Sequence, residues 1–319
     1  MQYATLKETP MKRSLLTLVL LFTLLLPAAA TAQTPSGPER ITDFHSEIQI
    51  DENGTMRVTE TIRVVALGGQ IRRGIYRDFP TRYTDTFGFT QRTGFSITGI
   101  RRDGKAEPYH TENLQNGVRV YIGEEDVFLN PGVYTYTINY ETDRQLGFFE
   151  DHDELYYNIT GNGWSFSIEE SSANIYFPTH FKPEDLNAYA YTGASGERGE
   201  DYSVEVTESN NRPVVRYKST RPLSPGEGLT VVIEWDKGLI ESPSAAEQAV
   251  NFLLDNGLLI CGLCFTALFI LFCLLTWLIK GRDPETGVIV PLFSPPDNLS
   301  PAEVGLPGPA WAWVMTGRS

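Results

Sequence analysis

The stretch IRRGIYRDFPTRY, residues 71–83, sets Arg72, Arg73, Arg77 and Arg82 among Tyr76, Phe79 and Tyr83. Guanidinium groups are planar, forked donors that hold a carboxylate or phosphate through two parallel hydrogen bonds. Tyr76 and Tyr83 could frame such a ligand, so the expected contact set is Arg73, Tyr76, Arg77, Asp78 and Tyr83. The same residues also suit a structural corner: Gly74 allows a turn, Pro80 ends a segment, and Asp78 with nearby acids neutralises the arginines. Composition alone favours the corner, and both uses stay open. The stretch is conspicuous because the chain is acidic, with 26 Lys and Arg against 40 Asp and Glu for a formal charge of −14.

Other chemistry is sparse. The run EDHDE, Glu150 to Glu154, could pair carboxylates for acid–base work or bind a divalent cation. It lacks the spacing of a calcium loop, and a solvated acidic loop is the favoured reading. The histidines His45, His110, His152 and His180 are far apart in sequence, and there is no G-x-S-x-G elbow. Cys261, Cys264 and Cys273 all fall in one apolar segment, so residues 33–255 hold no disulfide and no thiolate metal site. No metal and no cofactor is expected. Tyr156, Tyr157, Trp164, Tyr176, Tyr189 and Tyr191 could stack on sugar rings or peptides if they formed an exposed row, although in a β protein most aromatics pack the core.

The elements that must position these groups lie between two apolar segments. Lys12 and Arg13, the run Leu15 to Leu26, and Ala30-Thr31-Ala32 describe a signal peptide at 11–32. Residues 1–10 read as a start assigned too early. The second segment, Leu258 to Ile279, is 22 residues without a charge, enough to cross roughly 30 Å of hydrocarbon as a helix. Lys280 and Arg282 follow it and Asp255 precedes it, which places the C-terminal flank in the cytoplasm. The expected organisation is an exported domain at 33–240, a linker at 241–256, a transmembrane helix at 257–279 and a cytoplasmic tail at 280–319. Residues 33–255 carry 20 basic and 35 acidic side chains, 20 − 35 = −15, which argues against nucleic acid as a partner.

Alternation with period two recurs through the exported region. Phe44, Ile48 and Ile50 share one strand face, and Met56, Val58, Ile62 and Val64 share the next, with Asn53-Gly54 as a hairpin turn between them. Asp103-Gly104 marks another hairpin. Further alternation runs through 118–122, 134–140, 164–168, 202–206 and 229–235. Around eleven strands and no amphipathic helix are expected, giving a mainly β fold: an antiparallel β-sandwich followed by a single transmembrane α-helix.

Several motifs occur in order: VTETIRV at 58–64, GIYRDFPTRY at 74–83, DGKAEPY at 103–109, PGVYTYTINYET at 131–142 and DELYYNITGNGW at 153–164. PLSPGEGLTVVIEWDKG at 222–238 and GRDPETGVIVPLFSPPDNLSPAEVG at 281–305 complete the set. Across 41–305 the chain resembles the YciQ-like predicted membrane proteins, whose exported part is domain of unknown function 2207. The resemblance implies an exported β domain, a membrane helix and usually further membrane helices, with no assigned activity and no catalytic residues to carry over. Beyond Gly305 the residues depart from that pattern, and the last ones read as a truncated or frameshifted terminus.

The leading expectation is a non-enzymatic, membrane-anchored ectodomain of a bacterial cell envelope, used for binding or assembly. Its partners would be the cytoplasmic membrane and another envelope protein or a cell-wall polymer. One alternative is a glycan or peptide hydrolase working through Asp153 and Glu154, and another is the front half of a multi-span transport or signalling protein.

Overall fold

The computed structural model describes residues 36–281. The expected signal peptide at 11–32, the residues before it and the tail from 282 lie outside the described residues. Contacts divide the chain into a β-rich unit up to Gly257 and an apolar unit from Leu258.

The strands, in order, are β1 (Arg40–Ile50), β2 (Met56–Ala66), β3 (Gly74–Pro80), β4 (Arg82–Thr84), β5 (Thr90–Arg92) and β6 (Phe95–Arg102). Then come β7 (Lys105–Ala106), β8 (Tyr109–Asn113), β9 (Gly117–Gly123), β10 (Gly132–Thr142), β11 (Leu146–Phe148) and β12 (Asp153–Asn158). Last are β13 (Ser171–Tyr176), β14 (Asn187–Gly193), β15 (Tyr202–Ser209), β16 (Arg212–Ser219), β17 (Gly228–Trp235) and the helix α1 (Ala245–Lys280). An eight-stranded sheet runs β15-β16-β13-β1-β2-β10-β6-β7, and a four-stranded sheet runs β11-β12-β17-β14. A three-stranded sheet, β3-β9-β8, and the ribbon β4-β5 complete the set. The fold is mainly β and antiparallel-rich, as expected. Within it, β1 and β13 pair parallel.

Both expected hairpin turns form. Asn53 Oδ1 accepts from Thr55 N where β1 meets β2, and Asp103 and Gly104 both take positive φ between β6 and β7. The stretch 164–168, expected as a strand, forms no continuous ladder: Ile168 makes isolated bridges to Ile41 and Leu223, and Ser167 O accepts from Ile41 N at 3.0 Å. The reason is local: the Trp164 indole donates to Thr160 O at 2.8 Å and ties the chain into a turn.

The large sheets share a core. The Tyr217 hydroxyl on β16 donates to Val232 O on β17, and Phe177, just past β13, packs edge-on to Trp235 of β17. Ile48, Ile62, Ile138, Ile175 and Val231 are fully enclosed; burying a side chain of this kind contributes about 1.5–3 kcal/mol.

Into this core the sequence places an ion pair. Arg77 on β3 is 5% exposed and Glu60 on β2 is 0% exposed. Arg77 Nε and one terminal nitrogen donate to the two Glu60 oxygens at 3.0 and 2.9 Å. Its remaining donors reach Ile159 O, just past β12, at 3.0 Å and Asp78 O at 3.1 Å. The Tyr140 hydroxyl, on β10, donates to Glu60 at 3.0 Å and lies 2.8 Å from that of Tyr157 on β12. Burial opposes the charge on Arg77, but the Glu60 carboxylate outweighs it and holds the guanidinium pKa above the ordinary arginine value. Burial, and then Glu60, push the Tyr140 hydroxyl well up, so it stays a donor. Gly161 makes room: a Cβ there would sit 2.5 Å from the Arg77 guanidinium, on a backbone with φ of +71°. This cluster joins three of the sheets.

A second device shapes the approach to β3. Glu39 accepts from the backbone N–H groups of Leu67, Gly69, Gln70 and Ile71 at 2.9, 3.0, 2.6 and 3.2 Å. Partial burial favours its neutral form, yet the four donors outweigh that and lower its pKa. The loop between β2 and β3 is thereby folded onto one carboxylate.

Arg77→Ala leaves the enclosed Glu60 carboxyl without its partner, and should cost about 3–5 kcal/mol, read by urea unfolding of the detergent-solubilised chain. The double change Arg77→Met with Glu60→Leu should restore most of that loss; a single-variant cost under about 1 kcal/mol would sink the assignment. Glu39 binds fewer protons when folded, so its contribution is present above the ordinary glutamate value of 4.5 and fades as pH falls through its lowered native value. Glu39→Gln should therefore flatten the acid side of the stability profile below pH 4.5 and lower stability at neutral pH.

Candidate functional site

The stretch weighed as a ligand site or a structural corner is largely strand. Residues 74–80 form β3, paired along its length with β9, and Ile75, Arg77 and Phe79 point inward while Tyr76, Asp78 and Pro80 point out. The alternation is regular once Arg77 is counted as an inward residue. Gly74 is not a turn but a close approach: it has φ of +150°, and a Cβ would fall 1.8 Å from Ile122 O.

The structure divides the five residues expected to contact a ligand. Arg77 commits its guanidinium to the interior, packed also against the rings of Phe44 and Phe79. Asp78 takes both forks of Arg119, on β9, at 2.6 and 2.8 Å, and that guanidinium lies over the Tyr76 ring at 4.3 Å. The Asp78 hydrogen bonds are the main cause of the raised Arg119 pKa. Arg73 lies over the Phe128 ring at 4.6 Å, apart from the others. Tyr83 is half-exposed, and its hydroxyl donates to Pro80 O at 3.3 Å.

Tyr76, Arg77 and Asp78 line one cleft of about 380 Å³, together with Asn116, Asn158, Asn162 and Trp164. Tyr83 and Arg77 line an adjoining cleft of about 220 Å³ with Tyr140, Tyr156 and Tyr157. A third cleft, of about 380 Å³, lies on the outer face of the four-stranded sheet, where Tyr156 and Asn158 of β12, Thr230 of β17, and Tyr189 and Tyr191 of β14 stand side by side. The loop Ala194 to Arg198 walls one side of it. All three clefts meet at Asn158. Asn158 donates to Asn162 at 2.6 Å, and Asn162 in turn donates to Gly193 O and Gly226 O, so the junction is built on a fixed loop.

The aromatic set is also divided. Trp164 is core, packed against Phe44, and Tyr157 turns its hydroxyl to Tyr140. Tyr156 is 57% exposed, with Tyr189 and Tyr191 partly exposed beside it. Alternation in β12 and β14 explains the split, because residues two apart share a face.

The acidic run does not act as one group. Asp153 is enclosed and accepts from Lys237 Nζ at 3.0 Å, and Lys237 also donates to Phe149 O. Asp153 is thus unavailable for chemistry. Glu154 faces outward, opposite Glu234 in the register of β12 and β17. His152, Glu154 and Glu234 bring one potential ligand atom each within 4.8 Å of one another, the arrangement among the described residues that could take a cation. Their capacity is partly used: Glu234 accepts from Tyr189 at 2.7 Å and Asn187 at 2.9 Å, and His152 bonds Asp151 at 2.8 Å. Burial raises the Glu154 pKa and Glu234 adds to it, whereas the Tyr189 and Asn187 hydrogen bonds lower that of Glu234.

Glu60, Tyr140, Arg119, Asn158 and Asn162 were not singled out in the sequence. For Glu60 a signal existed: it occupies the gap in the inward series Met56, Val58, Ile62, Val64. A charged residue in an apolar period needs a partner, and Arg77 is the matching exception in β3.

The β-rich unit precedes an apolar helix that contains an 18-residue stretch of mean hydropathy 2.9 and is long enough to cross a membrane. Solved structures show only distant likeness: the M1 zinc metallopeptidase of Deinococcus radiodurans is 15% identical, with TM-score 0.37 over 60% of this chain and 42% of that one. Native leukotriene A4 hydrolase of Saccharomyces cerevisiae is 12% identical, with TM-score 0.38 over 67% of this chain and 33% of that one. The Escherichia coli K12 protein YciQ is 29% identical over 237 residues, 73% of this chain, and this chain spans 36% of its length. Residues 40–235 match the family described as predicted membrane protein (DUF2207) N-terminal domain. With the β-rich unit, the apolar helix and this match over most of its length, the chain belongs to the YciQ-like DUF2207 family of membrane proteins.

Proposed function

We propose that the β-rich unit is an exported binding module of the bacterial cell envelope, tethered to the cytoplasmic membrane by α1 with its C-terminal flank inside. The signal-peptide pattern at 11–32 and the basic residues Lys280 and Arg282 support this orientation. The observation that carries the binding role is the outer face of the four-stranded sheet. Tyr156, Tyr189 and Tyr191 present rings beside the amide of Asn158 and the hydroxyl of Thr230, and the cleft continues past Asn162 to Tyr76 and Asp78.

Rings give apolar faces to stack on, while amides and hydroxyls give uncharged donors and acceptors. That combination fits a neutral, hydroxyl-rich polymer such as a cell-wall glycan better than an anion. The reason is electrostatic: Arg77 and Arg119 are each already paired with a carboxylate, and Arg198, on the wall of the third cleft, lies over the Tyr191 ring and shares that cleft with Glu154 and Glu197. Of the expected contact residues, Tyr76, Asp78 and Tyr83 keep a place in this reading, and Arg73 does not.

A second reading rests on Glu154 and Glu234, two neighbouring carboxylates in or beside the same cleft whose environments push their pKa values in opposite directions. Such a pair suits a proton donor and its ionised companion in glycan hydrolysis. A third reading, that the unit serves a larger multi-span protein, is supported by the greater length of YciQ.

Retention of the full chain, held in nanodiscs, on insoluble cell-wall glycan tests the first reading. Tyr156→Ala with Tyr191→Ala should weaken retention roughly tenfold, from about 0.5–1.5 kcal/mol per ring, with unfolding unchanged; unaltered retention would remove the groove from the proposal. Soluble glycan fragments released by the parent chain and lost in Glu154→Gln would establish the hydrolytic reading instead, and no release from either would exclude it.

A further inference from the structure

The β4–β5 ribbon takes no part in the clefts beyond Tyr83, yet it is built with unusual care. Asp85 Oδ1 accepts from the backbone N–H groups of Phe87 and Phe89 at 2.9 and 2.8 Å, and Asp85 N and O close the turn against Phe89 O and Gly88 N. The turn presents Phe87 at 85% exposure, the highest among the aromatic side chains of the β-rich unit. Holding a phenylalanine in water on a fixed turn is unfavourable by the transfer free energy of its ring. Arg82 and Arg92 face each other across the ribbon, both exposed, and among the described residues neither forms an ion pair.

The ribbon is fastened to the start of α1. Asn256 accepts from Thr90 N at 2.8 Å and donates to Thr90 O at 3.0 Å, as a neighbouring strand would. Asp255 accepts from Arg92 N at 3.2 Å and from the Arg144 guanidinium at 2.6 Å, and Phe89 packs edge-on to Phe252 at 5.1 Å. Where the ribbon meets it, over residues 252–256, the helix is therefore inverted relative to a soluble amphipathic helix. Asp255 and Asn256 are covered by the ribbon, while Leu253 and Leu254, and Val250 one turn earlier, are exposed.

That inversion says what covers the exposed face. A helix that hides Asn256 and shows Leu254 is suited to hydrocarbon. From Val250 to Lys280 it runs roughly 45 Å, at about 1.5 Å per residue, which matches a bilayer of about 40–45 Å with its headgroups. We propose that the β4–β5 ribbon is a second membrane contact: Phe87 enters the boundary between headgroups and acyl chains, Arg82 and Arg92 take lipid phosphates, and the ribbon shields Asp255 and Asn256 where the helix enters the bilayer. Aromatic rings are favoured at that depth, and arginine beside them gains from anionic headgroups. The inference is independent of what the clefts bind.

The test uses the full chain in nanodiscs of mixed phosphatidylethanolamine and phosphatidylglycerol. Cys261, Cys264 and Cys273 are replaced by serine, and a single nitrobenzoxadiazole label is placed through Phe87→Cys or, as a control on β15, Glu205→Cys. The label at 87 should be quenched by lipid carrying a shallow doxyl group and show several-fold less quenching by aqueous iodide than the label at 205. Charge reversal, Arg82→Glu with Arg92→Glu, should reduce the doxyl quenching at 87; no change would remove the arginines from the proposal. Equal iodide quenching at both positions without doxyl quenching would overturn it. Iodide protection without doxyl quenching would overturn it too, because the ribbon would then be covered by protein.

Discussion

One buried ion pair governs how the sheets of this protein fit together. Glu60 belongs to the eight-stranded sheet and Arg77 to the three-stranded one, and the carbonyl that completes the guanidinium's partners follows a strand of the four-stranded sheet. Neither charge can be left alone in a core without a cost of several kcal/mol. Arrangements that separate these strands are thereby penalised, even where their apolar faces would be satisfied. The many enclosed Ile, Val and Phe side chains supply the favourable free energy, and in that division of labour the pair contributes selectivity among packings rather than net stability.

The outer surface inherits its geometry from that pair. Because side chains alternate along β3, turning Arg77 inward obliges Tyr76 and Asp78 to face out. Asp78 then fixes Arg119, and Arg119 lies over the Tyr76 ring. The cleft beside them is bounded across by the loop of Gly161 and Asn162, which approaches closely only because residue 161 has no side chain. A groove wall and a core contact are thus two faces of the same seven-residue strand.

The arginines that stand out in an acidic sequence have separate fates. Arg77 serves the interior, Arg73 lies over an aromatic ring, and Arg82 stays exposed on a ribbon fastened to the start of the apolar helix. Of the two uses weighed for the stretch, the internal ion pair is present at Arg77, while Tyr76, Asp78 and Tyr83 stay at least partly exposed. The helix shows a related economy: the span expected at 257–279 lies inside a longer helix that begins at Ala245. Ser244 and Glu247 cap its start, and the part expected as linker carries the residues that grip the ribbon.

By itself the sequence determined the β class, the Asn53-Gly54 and Asp103-Gly104 hairpins, the apolar span and the family, because each rests on local periodicity or on consecutive motifs. It also contained the exceptions, Glu60 and Arg77, as charges within inward-facing series. That these two are partners could not be read, since they meet across sheets and nothing in a period-two pattern specifies which strand lies opposite. The same limit hid Asp78 with Arg119, Asp153 with Lys237, and the sharing of Asn158 by three clefts. Only the tertiary structure decided these, because register and sheet order set which side chains come within 3–4 Å of one another.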